Sequence, residues 1–219
     1  MAVDSNVGFN KSNALLDTSL TYEVDLTAPA KPTAQLIVRH TNRGVSDSPC
    51  VMLASTTPVD SIEAYTMDNC HWTYLRVYSS SGTQLLSATP QATPAEQTLR
   101  EVAVPARVDN LNDEGIAGAQ AFGTLVVIPQ KKTVDTSFDF GLPASVLQQD
   151  SASGAWTYRL TVQKQPGTIA VPLIVRLHLP DGAELVGPPA EIQREGEAWV
   201  FTTNLRQDVI LEIVFRVSQ

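Results

Sequence analysis

Leu20-Thr21-Tyr22-Glu23-Val24-Asp25-Leu26 places an apolar side chain at every second position and a polar one between. A helix would need a period near 3.6, whereas a period of two leaves one face of a strand buried and the other wet. The alternation recurs more loosely from Ala34 to His40. It returns in Val134 to Phe140, where Phe138 and Phe140 oppose Asp135, Ser137 and Asp139. It is strong again in Trp156, Tyr158, Leu160 and Val162, and in Val209, Leu211, Ile213, Phe215 and Val217. One-sided burial of this kind belongs to antiparallel sheets with a solvated face. Parallel strands covered on both sides read as more uniformly apolar.

Turn residues punctuate these runs. Gln165-Pro166-Gly167-Thr168 fits a type II turn, with proline pre-setting one backbone angle and glycine accepting a positive one. Pro180-Asp181-Gly182 and Glu195-Gly196 mark further corners. Helix is scarce. Thr93-Pro94-Ala95-Glu96 has the shape of a capping box, with room for about two turns before Val102 and Val104. Pro58 to Tyr65 and Pro143 to Gln149 suggest short turns. The expected fold is all-β: an antiparallel, immunoglobulin-like β-sandwich, as one or two layered sandwiches. Residues 1–14 read as a flexible lead-in and 15–145 as a sandwich domain carrying the Cys50/Cys70 loop. Residues 150–219 read as a second sandwich or subdomain, one continuous domain being the alternative. The dividing stretch, Pro143 to Gly154, contains the small residues Ser151-Ala152-Ser153-Gly154.

Composition narrows the function. The chain has 219 residues and a formal charge of −8. That balance argues against nucleic-acid binding, which needs a basic face to displace counterions. The most apolar run, Ile169 to Leu179, is interrupted by Pro172, Arg176 and His178 and is too short to span a bilayer. Met1-Ala2-Val3-Asp4-Ser5 lacks the basic start and hydrophobic stretch of a signal peptide. The expectation is a piece of a longer exported protein.

Cys50 and Cys70 are the two cysteines of the chain, twenty residues apart. In a β-rich acidic chain they predict one disulfide and an oxidising compartment. Free thiols, or zinc held with His71, are the alternatives. Neighbouring strand residues point to opposite faces, which makes the zinc set awkward. His40, His71 and His178 show no ligand spacing. No nucleophile elbow, zinc-protease pair or phosphate loop is present, so no catalytic residue, metal or cofactor is assigned. Two weaker candidates remain. Trp72, Tyr74 and Tyr78 share one strand face, with Tyr65 nearby. Exposed, they would stack on sugars; buried, they would pack under the disulfide-bearing loop. Asp109-Asn110-Leu111-Asn112-Asp113-Glu114-Gly115 is oxygen-rich. Asp109, Asn110, Asn112 and Asp113 could ligate calcium, although Leu111 breaks the alternation that an EF-type loop needs; a solvated turn explains the same string.

Three stretches carry a resemblance. Thr21-Tyr22-Glu23-Val24-Asp25-Leu26 with Leu36-Ile37-Val38-Arg39-His40-Thr41-Asn42-Arg43 resembles the paired opening strands of a bacterial module. Cys70 to Tyr78 and Thr157 to Thr168 resemble its later parts. Together they are similar to the C-terminal β region of bacterial membrane-anchored proteins carrying domain of unknown function 4012, over nearly the whole chain. The resemblance implies an extracytoplasmic module preceded, in the parent protein, by a transmembrane helix. It brings no catalytic residues. The resulting expectation is a non-catalytic envelope module acting in spacing or protein interaction, with an envelope protein or cell-wall polysaccharide as partner. A carbohydrate-binding module is the main alternative, and a hydrolase with an unrecognised carboxylate site is the third.

Overall fold

The computed structural model describes residues 1–52 and 67–217. Its strands in chain order are β1 (Ala2–Asn6), β2 (Leu16–Asp25), β3 (Thr33–Asn42), β4 (His71–Ser80), β5 (Gln84–Ala88), β6 (Asp109–Asn110), β7 (Ala119–Ile128) and β8 (Thr133–Gly141). They continue with β9 (Leu147–Gln149), β10 (Trp156–Val162), β11 (Val171–His178), β12 (Ala183–Leu185), β13 (Ile192–Glu195), β14 (Ala198–Leu205) and β15 (Val209–Val217). Among the described residues helix is limited to single 3-10 turns, such as Ser12–Leu15 and Ala144–Val146.

A seven-stranded sheet in the order β13-β14-β11-β2-β3-β8-β5 runs through the molecule. Two four-stranded sheets accompany it, β1-β4-β7-β6 and β12-β15-β10-β9. The alternation in the sequence decides which side chains turn inward. Val24, Leu36 and Val38 of the long sheet join Leu75, Val77 and Phe122 of the first small sheet. Tyr158, Leu211, Ile213 and Phe215 of the second small sheet complete the same apolar cluster. Phe122 meets Phe140 across the layers with ring centroids 5.8 Å apart. Each such buried side chain contributes about 1.5–3 kcal/mol of transfer free energy.

Among the described residues the all-β, antiparallel expectation is met with one exception. β2 and β11 run parallel, from Leu20 opposite Leu173 to Asp25 opposite His178. This pair stitches the strands of the first part of the chain to those of the last. No local pattern could show it, because alternation reports which face is buried and not which strand lies alongside.

Three local expectations are corrected or sharpened. Residues 1–14 are not a loose lead-in: β1 pairs with β4 from Ala2 opposite Val77 to Asn6 opposite Thr73. Ladder hydrogen bonds and a half-buried carboxylate hold it rather than an apolar stripe. The capping-box segment forms one 3-10 turn, Ala95–Gln97, with no side-chain cap, because a helix this short does not repay its nucleation cost. The turn after β10 is as expected: Gly167 has φ 86°, and Thr168 N lies 3.5 Å from Gln165 O. The stretch Pro58 to Tyr65 lies outside the described residues.

Candidate functional site

Cys50 and Cys70 are disulfide-bonded, with Cα atoms 5.5 Å apart. Beneath them, on the outer face of β4 and β7, Cys70, Trp72 and Val127 form a small second core with Val7 and Met52. Trp72 is 1% exposed and its indole N–H donates to Gln97 O at 2.9 Å. It therefore offers no face to a sugar. Large rings repay burial, and the bridge supplies the lid. Tyr74 is half-buried; its hydroxyl donates to Asp109 at 2.8 Å, and Arg76 lies over its ring at 4.8 Å. Burial first, then Asp109, pushes the Tyr74 phenol up to about 12. Tyr78 is half-buried at the other end of β4. Tyr65 lies outside the described residues. The aromatic face is thus no open stacking platform.

Three of the oxygen-rich loop's four candidate ligands, Asp109, Asn110 and Asn112, are engaged internally. Asp109 accepts from Tyr74 and from Arg107 Nε at 3.0 Å. Asn110 Oδ1 accepts the Asn112 N–H, and Asn112 Oδ1 accepts the Ala121 N–H. These are turn-closing bonds. Among the described residues no three His, Cys, Asp or Glu side chains gather as a metal cluster. Asp109, Asn110 and Asn112 thus hold a structured turn, with Asp113 exposed beside them.

A different place gathers unsatisfied chemistry. A cleft of about 1040 Å³ opens between β1, the start of β2 and the β10–β11 turn. Its wall at β1 is clamped to the turn by one side-chain amide. Gln165 Oε1 accepts the Asp4 N–H at 2.8 Å, and Gln165 Nε2 donates to Asp4 O at 2.9 Å, which covers part of an otherwise free strand edge. The Asp4 carboxylate reaches inward to His40, whose Nε2 lies 3.0 Å from both oxygens, and accepts from Thr73 at 3.2 Å. Burial alone would raise the Asp4 carboxyl. The His40 hydrogen bond, the nearby His40 and His71 rings and the Thr73 hydroxyl outweigh it and hold the group below its ordinary value.

His71 lines the same cleft. Its Nδ1 lies 2.9 Å from Ser12 Oγ, and that hydroxyl donates to Asn10 Oδ1 at 2.6 Å. Ser12 has one proton and gives it to Asn10, so His71 Nδ1 carries the hydrogen toward Ser12 and Nε2 is left as a bare acceptor. Nε2 is buried without a partner. Burial holds the His71 pKa down at about 4, so the ring stays neutral near pH 7. Ser12 is fully buried, and its proton faces an amide oxygen instead of a base. The serine–imidazole pair is therefore not arranged as an activated nucleophile.

At the rim stands Phe9, 70% exposed, with φ 55°. Non-glycine residues avoid this region. The turn that holds it is tied on every side. Asn6 Oδ1 accepts the Gly8 N–H, Asn6 Nδ2 donates to Asn10 O, and Asn10 Nδ2 donates to Cys70 O. A Cβ on Gly8 would sit 2.8 Å from the Trp72 ring, so only glycine lets the backbone lie on the indole and lift Phe9 outward. Ile169, 86% exposed, comes from the other wall. The sequence offered one signal for this site: a phenylalanine set among the turn formers Asn6, Gly8 and Asn10. A second cavity, of about 570 Å³, lies over Tyr22 and Tyr158 and is lined largely by core residues such as Leu20, Leu36 and Phe140.

No family model matches the sequence, and no curated protein matches it. One solved structure supports a likeness of fold. A Legionella pneumophila protein, provisionally described as nutrient-binding, aligns over 98% of this chain and 70% of its own at 10% identity, with a TM-score of 0.50. An M1 zinc metallopeptidase from Deinococcus radiodurans aligns over 92% of this chain and 42% of its own at 11% identity, with a TM-score of 0.37. At 10% identity the first likeness is one of fold alone, and the second carries no argument. What fold and site define together is an all-β, disulfide-bonded protein with a preformed cleft.

Proposed function

We propose that the chain is a non-catalytic, extracytoplasmic binding module of a membrane-anchored envelope protein. The observation that carries this reading is the cleft, whose walls are tied to each other through Asp4 and Gln165 and need no folding on binding. The Cys50–Cys70 bridge supports an oxidising compartment. The resemblance to the β region of proteins with domain of unknown function 4012 supports a membrane-anchored parent and an envelope setting. The fold shared with a protein described as nutrient-binding is consistent with a binding role. Among the described residues no helix is long and apolar enough to cross a membrane.

Two measurements test the reading. Thiol trapping in intact producing cells should find Cys50 and Cys70 oxidised; reduced thiols at steady state would place the chain in the wrong compartment. Immobilised protein should retain a defined envelope component, protein or polysaccharide, in a saturable manner. Failure of every fractionated component to bind removes the binding role.

A further inference from the structure

We propose that the cleft between β1 and the β10–β11 turn binds a neutral oligosaccharide, with Phe9 and Ile169 against the apolar faces of the sugar rings. The inference rests on the binding-module reading and names its ligand class.

The charges around the cleft are already paired. Arg39 makes a two-bond contact with Asp135, at 2.8 and 2.7 Å. Arg43 Nε lies 2.9 Å from Asp17, and Asp4 is held by His40. A charged ligand would find no counter-charge that is not already engaged. Neutral hydrogen-bonding groups, by contrast, stand unused. Asn13, Thr18, Ser19 and Asn204 line the cleft, and their side chains make no hydrogen bond among the described residues. Phe9 and Ile169, from separate elements, supply exposed apolar surface. Polar edges and flat apolar faces together describe a pyranose, whose hydroxyls lie around a ring with carbon-bound hydrogens above and below. The strained backbone at Phe9 is the kind of cost that persists at binding sites. An extended peptide is the weaker fit. β2 is paired to β11 from Leu20 onward, which leaves the short edge Leu16 to Ser19, too few residues for strand addition.

The test uses tetramers of β-1,4-linked N-acetylglucosamine, β-1,4-linked glucose and α-1,4-linked glucose. Each is titrated by calorimetry and by amide NMR on the intact chain. At least one should bind with a dissociation constant on the order of 1 mM or tighter and shift the amides of Phe9, Thr18 and Asn204. Phe9→Gly removes the ring and relieves the positive φ, so it should keep or raise Tm while weakening binding about tenfold. Ile169→Ser should weaken binding with Tm unchanged, and Ile210→Thr, exposed on β15, should leave binding as it was. The proposal is overturned if no tetramer shifts these amides, or if Phe9→Gly and Ile169→Ser bind as the unaltered chain does. Saturable binding of an extended peptide with all sugars silent would also overturn it, while leaving the binding-module reading in place.

Discussion

The outer face of β4 and the cleft beside β1 make an instructive pair. The first is rich in the residue types that suggest a site: Trp72, Tyr74 and Tyr78, with a disulfide next to them. Every one of its polar groups described above is spoken for, the indole by Gln97 and the phenol of Tyr74 by Asp109. The second is built from Asp4, Phe9, His71 and Gln165, residues that the sequence does not group as a site. Yet it holds an imidazole nitrogen buried without a partner and an exposed ring on a strained backbone. Residue type is a weak guide to function; unmet hydrogen-bonding capacity and tolerated strain are stronger ones.

If the β4 face is structural, truncating it should cost the most. Trp72→Ala is expected to lose about 3–5 kcal/mol in urea denaturation, as large aromatic truncations in packed cores do. A loss under about 1 kcal/mol would mean that the ring is not the centre of that small core. The bridge above it comes next. Reduction, or Cys50→Ser with Cys70→Ser, should lower stability by on the order of 3 kcal/mol for a loop of this length. Unchanged denaturation midpoints with and without reductant would break the comparison from the other side.

The cleft should respond to pH instead. The folded His71 pKa, held at about 4, lies below its ordinary 6.5. Between these values the unfolded chain takes up a proton that the native chain refuses, so stability falls as pH drops through that window. The expected loss is on the order of 3 kcal/mol at most. Asp4, whose folded value is depressed, adds a further loss as pH falls through that lowered value. His71→Gln should flatten the slope between pH 6.5 and 4 in denaturation curves; an identical slope would show that the burial of this ring is not what the acid limb reports. The smallest effect has the opposite sign. Phe9→Gly should stabilise the chain by up to about 1 kcal/mol in the same assay, since glycine accepts φ 55° without a Cβ penalty. Destabilisation would mean that the ring packs as a structural element.

Alternating burial was legible without any structure. Leu20, Val24, Phe138, Tyr158 and Ile213 lie in the core as their spacing required, because a pleated strand sends successive side chains to opposite faces. The pairing of Cys50 with Cys70 was legible too, since no other cysteine competed. Only the tertiary structure placed β1 at the edge of a sheet, ran β11 parallel to β2, and brought Asp4 to His40, Ser12 to His71 and Gln165 to β1. Those contacts join residues far apart in the chain. Their energy depends on which backbones end up side by side, and a local pattern of polar and apolar residues carries no record of that.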